Sequence, residues 1–179
     1  MLAYGQVTGT DLADEVVARA QERVPQAKFV AGDFMALDIP PESFDVVVAA
    51  EVISCVADQE GFVRKVSQVL RPGGWLMLST PNPFVLQRSR VTPRDDRQVR
   101  HWLGPSELRR LLRASGLRPI DLRTVVPYGH GGILRLVNSP KLNALCSLVV
   151  APERIKRAKE AAFLGHSIVL LARNETSAH

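Results

Sequence analysis

Six short segments rich in β-branched and aliphatic residues recur along the chain, at residues 6–10, 28–31, 44–50, 75–80, 120–126 and 167–172. Helical patterns separate most of them. Ala13, Val16, Val17 and Ala20 recur at the spacing of one helix face, and Pro25 stops that helix just beyond Arg23. After Asp58, residues Phe62, Val66, Val69 and Leu70 form a second apolar stripe, closed by Arg71-Pro72-Gly73-Gly74 before the strand at 75–80. Gly104-Pro105-Ser106-Glu107 opens a third helix with Leu108, Leu111 and Leu112 inward and Gly116 as its stop. Strands alternating with helices predict an α/β fold with a mostly parallel sheet. The run Phe44-Asp45-Val46-Val47-Val48-Ala49-Ala50 is almost unbroken, the composition of a central strand covered on both faces. From Tyr128 to Gly165 the pattern changes to two helices, one capped by Ser139-Pro140 and one opened by Pro152, which predicts a helical insertion before the last strand. Residues 174–179 are polar and are expected to be a frayed tail.

The length of 179 residues predicts a single domain, with residues 84–165 holding a lid and the insertion. Cys55 and Cys146 lie in apolar stretches, are far apart, and read as core thiols of a reduced compartment. The N-terminal residues have no basic leader or apolar core segment, and no apolar run approaches the roughly 20 residues of a spanning helix, so the expectation is a soluble, cytoplasmic protein. The net charge of +5 is divided unevenly. Residues 1–83 hold 6 basic and 11 acidic side chains, residues 84–123 hold 10 and 4, and residues 124–179 hold 7 and 3. The basic surplus belongs to the second half, where Arg88, Arg90, Arg94, Arg97 and Arg100 suit either a solvated loop or an acidic ligand bound through paired guanidinium contacts. Aromatics make up only 6% of the chain, which disfavours stacking on nucleic acid.

Ligands of open α/β sheets bind at the carboxyl ends of the strands. Three acids stand there: Asp11 after the first segment, Asp33 beside Phe34 after Gly32, and Glu51 after the third. Asp11 suits ribose hydroxyls or the capping of the next helix, and Asp33 beside Phe34 suits an adenine amino group with the ring against the base. The four histidines, His101, His130, His166 and His179, show no metal-ligand spacing with the cysteines, so no metal is expected.

The segments Val7-Thr8-Gly9-Thr10-Asp11, Phe29-Val30-Ala31-Gly32-Asp33-Phe34, 44–52 and Val69-Leu70-Arg71-Pro72-Gly73-Gly74-Trp75-Leu76, in this order, resemble the class I S-adenosylmethionine-dependent methyltransferases, especially the small-molecule branch that includes ubiquinone-biosynthesis O-methyltransferases. The resemblance implies a Rossmann-like fold and S-adenosylmethionine as cofactor. Asp11 and Leu12 would lie at the ribose, Gly32, Asp33 and Phe34 at the adenine, and Glu51 and Val52 beneath the methionine end. His101-Trp102-Leu103 resembles the family's histidine segment before a late helix.

Two departures stand out. Relatives often read glutamate-histidine-valine where this chain reads Ser54-Cys55-Val56, so a base either comes from elsewhere, with His101 and His130 in Tyr128-Gly129-His130-Gly131-Gly132 as candidates, or is unnecessary. No G-x-G-x-x-G occurs, and Met1 to Gly5 resembles the end of the helix after the family's glycine turn, which implies that about 30 residues or more of a first strand-turn-helix unit are missing. The expected activity is O- or N-methylation of a small-molecule acceptor, impaired by that loss, with an acidic acceptor as the alternative to a solvated arginine loop and a homo-oligomer as the assembly alternative. A non-catalytic remnant or partner-binding subunit of the same fold is the rival reading. A nicotinamide-dependent Rossmann protein is permitted by Asp11 alone.

Overall fold

The computed structural model describes residues 2–87, 101–127, 151, 154 and 164–176. The chain forms two compact units, Met1–Pro40 and Pro41–His179. Most of the predicted insertion, with Cys146 and His130, lies outside the described residues, as do the five arginines between 88 and 100.

In the smaller unit a 3-10 turn at Leu2–Tyr4 precedes strand β1 (Thr8–Asp11), helix α1 (Asp14–Arg23) and strand β2 (Lys28–Ala31). β1 and β2 pair in parallel, with Thr8 opposite Lys28 and Asp11 opposite Ala31. The helix places Asp14 and Glu15 in its first turn and Arg23 in its last, both favourable to its dipole. Its C-terminal end is tied to the following turn by Gln21, whose amide nitrogen donates to the Ala27 carbonyl at 3.1 Å. The sequence stripe on α1 buries nothing, and Val16 is exposed. Periodicity shows that a face is apolar but not that something covers it.

The larger unit contains β3 (Phe44–Ala50), a 3-10 turn at Ile53–Cys55, α2 (Gln59–Val69), β4 (Leu70–Pro81), the short α3 (Pro83–Leu86), α4 (Pro105–Ala114), β5 (Leu117–Pro127) and β6 (Gly165–Asn174). Its sheet has the order β3-β4-β6-β5. β3 and β4 run parallel, and β6 is antiparallel to both β4 and β5, so only β6 runs against the rest. One face of the sheet is covered. Phe62, Val63, Val66 and Val69 of α2 and Leu108 and Leu112 of α4 are buried, as are Leu76 and Leu78 of β4 and Ile168, Leu170 and Ala172 of β6. This is the core, and area removed from water is its main stabilising term.

The position of β3 corrects the sequence reading. Its ladder is with β4, at the edge of the four-stranded sheet. Val46 and Val48 are 44% and 48% exposed and share a face with Met77, directly opposite Val48 and also 48% exposed. The apolar run therefore marks a strand buried on one face only.

The Leu-Arg-Pro-Gly-Gly stretch is the irregular start of β4 rather than a turn preceding it. Leu70 opposes Phe44, Trp75 opposes Val46, and the register shifts between them. Gly73 lies at φ 77°, where a side chain is strained, and a Cβ on Gly74 would stand 2.9 Å from the Arg71 carbonyl oxygen and 3.1 Å from that of Asp45. The two glycines thus do different work. Arg71 secures the bulge by donating to the Asp45 carboxylate at 2.7 Å and to the Glu42 carbonyl at 3.1 Å.

Two further expectations are overturned. Asn174 is not part of a frayed tail: it ends β6 and is 2% exposed, donating to the carbonyls of Ser67, Leu70 and Arg71. Cys55 is exposed rather than in the core, because its 3-10 turn sends Ile53 and Ser54 inward.

Gly165, the first residue of β6, meets β5 too closely for any side chain: a Cβ there would lie 2.5 Å from the Val125 carbonyl oxygen and 2.6 Å from its nitrogen. Neither is a flexible side-chain end that could turn aside. Gly165→Ala is expected to lower stability by about 1–3 kcal/mol, read as a lower urea midpoint with an unchanged slope.

Candidate functional site

Each unit brings a subset of the predicted residues to the carboxyl end of its own strands. In the smaller unit Asp11 closes β1, and the Gly32 amide donates to the Asp11 carbonyl at 2.9 Å, which sets Gly32, Asp33 and Phe34 beside Asp11 and Leu12. Gly32 lies at φ 140°, a conformation suited to glycine, and the chain turns there directly out of β2. Asp11 and Asp33 use their side chains in the same way: Asp11 accepts from the Ala13 amide and Asp33 from the Met35 amide, each at 2.9 Å. These are Asx-type turns, which hold the chain open after each strand. Both carboxylates are exposed, as is Leu12, while Phe34 is half-buried.

In the larger unit Glu51 follows β3 at φ 59°, a left-handed conformation uncommon for a residue with a side chain. Ser79 of β4 holds it there. The Glu51 amide donates to the Ser79 carbonyl at 3.0 Å, and the Ser79 hydroxyl donates to the Glu51 carboxylate at 3.0 Å. Strain of this kind persists where neighbours over-determine it, and it clusters at binding sites. Val52, next in the chain, is 42% exposed.

His101 reaches the same strand end: its amide donates to the Ser54 carbonyl at 3.1 Å. Buried Gln59 joins them, with its amide nitrogen 2.8 Å from both the Ile53 and His101 carbonyl oxygens. Sequence reasoning passed over Gln59 and Ser79, since a glutamine in the first turn of a helix and a serine late in a strand carry no motif. The alternation of burial along β4 could have placed Ser79 on the same face as Ala50, its partner in register. Among the described residues no cluster of His, Cys, Asp and Glu could hold a metal, and no helix is long and apolar enough to cross a membrane.

Conformation at Glu51 can be tested without a ligand. Glu51→Ala keeps the left-handed strain and loses the bond to Ser79, whereas Glu51→Gly loses the bond and the strain together. Glu51→Gly is expected to be the more stable of the two by about 1 kcal/mol, read from their urea midpoints.

Comparison with known proteins follows the same lines. A family model described as a methyltransferase domain matches residues 1–78. A probable S-adenosylmethionine-dependent methyltransferase of Mycolicibacterium smegmatis is 36% identical over 116 residues, which is 65% of this chain and 45% of that protein. The ubiquinone biosynthesis O-methyltransferase of Chromobacterium violaceum is 33% identical over 154 residues, covering 75% of this chain and 63% of its own. The chain thus spans about half the length of the curated relatives it matches. Among solved structures, an S-adenosylmethionine-dependent methyltransferase from Mesorhizobium loti superposes with a TM-score of 0.66 over 94% of this chain and 80% of that one, at 19% identity, a likeness of fold. Over residues 1–78 in its family match, over 65–75% of its length in these two relatives and in its fold, the chain is similar to S-adenosylmethionine-dependent methyltransferases.

Proposed function

We propose that the chain binds S-adenosylmethionine and takes part in methyl transfer to oxygen or nitrogen of a small-molecule acceptor. The observation that carries this reading is Glu51, held at φ 59° by Ser79 at the carboxyl end of β3, a strained acid where ligands of such sheets bind. The residues present fit the cofactor: Gly32 leaves its backbone open to close approach, and the exposed carboxylates of Asp11 and Asp33 follow β1 and β2. Asp11 and Leu12 would hold the ribose, Gly32, Asp33 and Phe34 the adenine, and Glu51 and Val52 the methionine end. When bound, the cofactor supplies an electrophilic methyl group on a sulfonium.

Such a displacement asks the protein mainly for alignment and exclusion of water, with a base for a hydroxyl acceptor. His101, anchored to Ser54 in the 3-10 turn that follows Glu51 and Val52, is the base in this reading, and His130 is the alternative from sequence. Arg88, Arg90, Arg94, Arg97 and Arg100 support an acceptor bearing a carboxylate or phosphate. The names of the relatives support methyl transfer, and the ubiquinone biosynthesis O-methyltransferases among them support oxygen as the acceptor atom.

The test is calorimetric titration of S-adenosylhomocysteine into this chain and into a version extended by upstream codons. Saturable binding to either supports the reading, and absence from both overturns it. In that case the partner-binding reading gains, on the observation that β3 is an edge strand with Val46 and Val48 uncovered.

A further inference from the structure

Gln59, the first residue of α2, is 7% exposed, and every polar atom of its side chain has a partner. Its amide nitrogen lies 2.8 Å from the carbonyl oxygen of Ile53 and 2.8 Å from that of His101. Carbonyl oxygens only accept, so both amide protons are committed and chemistry settles which way the group faces. The amide oxygen then stands 3.1 Å from Nδ1 of His101. An amide oxygen has no proton to give. Nδ1 must carry the proton, and in the neutral ring the lone pair is left on Nε2.

We propose that Gln59 is a positioning residue that fixes His101 as the Nδ1-protonated tautomer, so that Nε2 is presented as a proton acceptor toward a ligand bearing a hydroxyl group. The backbone makes the same assignment sturdy. The His101 amide donates to Ser54 of the 3-10 turn Ile53–Cys55, and the His101 carbonyl accepts from Gln59 of α2, so both backbone polar groups of the residue are anchored. His101 is itself exposed, while the glutamine that orients it is buried.

If the ligand's hydroxyl is deprotonated here, the O–H bond breaks, its electron pair stays on oxygen and the proton ends on Nε2. The ring then carries both protons, and Nδ1–H still points at the glutamine oxygen, which stabilises the cation. A ring fixed the other way round would present an N–H donor and could take no proton at that atom. Only this ligand class rests on the methyl-transfer reading; the tautomer does not.

Long-range proton–nitrogen correlation spectra of the nitrogen-15-labelled chain test the assignment, recorded at a pH where histidines are neutral. His101 is identified by the ring signals that vanish in His101→Gln. The expected result is Nδ1 at the shift of a protonated ring nitrogen and Nε2 at the far-downfield shift of an unprotonated one, with Gln59→Leu shifting the ring toward the Nε2-protonated form. An Nε2-protonated His101 in the unsubstituted chain overturns the proposal, whether or not Gln59→Leu folds. So does a tautomer unaltered in a folded Gln59→Leu. Failure of S-adenosylhomocysteine to bind leaves this spectrum as it is and counts against the methyl-transfer reading alone.

Discussion

Asn174→Asp is expected to lower the unfolding free energy by about 3–5 kcal/mol, although it replaces a single NH2 group by oxygen. The Asn174 amide nitrogen sits among three carbonyl oxygens, those of Ser67 at 3.1 Å, Leu70 at 3.0 Å and Arg71 at 3.3 Å. A carboxylate oxygen there accepts but cannot donate, so three favourable contacts become repulsive ones. At 2% exposure water cannot compensate. The other side-chain oxygen is already engaged, with the Thr176 amide at 3.1 Å and the Ser67 hydroxyl at 3.4 Å. Urea unfolding of the two proteins at neutral pH, followed by circular dichroism, measures the difference. Asn174→Leu separates the contributions: it removes the bonds without adding charge and should fall between the other two. Equal midpoints for asparagine and aspartate would mean that this end of β6 opens to water.

The second large effect concerns ligand binding. In the proposed reading Asp33→Ala weakens S-adenosylhomocysteine by about 10- to 100-fold, the range for a hydrogen bond to a charged group. Asp33 has a local duty as well, since it accepts from the Met35 amide. Asp33→Asn separates the two, because an asparagine oxygen can still serve Met35 while the negative charge is gone. If the carboxylate contacts the adenine amino group directly, Asn will lose affinity nearly as Ala does. If Asp33 serves only its turn, Asn will bind like the unsubstituted chain, and calorimetry distinguishes the two.

Local chemistry was the legible part of this sequence. Phe44–Ala50 and Lys28–Ala31 appear as strands with the bounds their composition predicts, and Gly104-Pro105 opens α4 as expected, with Glu107 accepting from the Gly104 amide at 2.7 Å. Burial was less legible, because composition measures what a segment can hide and only the neighbours decide what it does hide. Val46, Val48 and Val16 are as apolar as any core residue, yet stand exposed. Asn174 failed in the opposite direction: a polar residue near a polar tail gives no sign that three carbonyls converge on it. The acids at the strand ends were found because their position follows from topology. Gln59 and Ser79 were not, since their roles arise from contacts across 42 and 28 positions of chain.

The place of β6 has a consequence for how the protein is made. It lies between β4 and β5, so Leu78 waits for Leu170 and Leu122 waits for the same residue. Synthesis delivers β4 and β5 first, and until β6 has cleared the ribosome each offers an unpaired flank to the other or to a neighbouring nascent chain. Closing the β4–β6 ladder spans nearly a hundred residues, an entropic cost that grows only with the logarithm of that length but precedes any reward from pairing. The larger unit should therefore reach its native state only after translation of β6, and a nascent chain stalled before residue 165 is where protease sensitivity and chaperone engagement should be greatest.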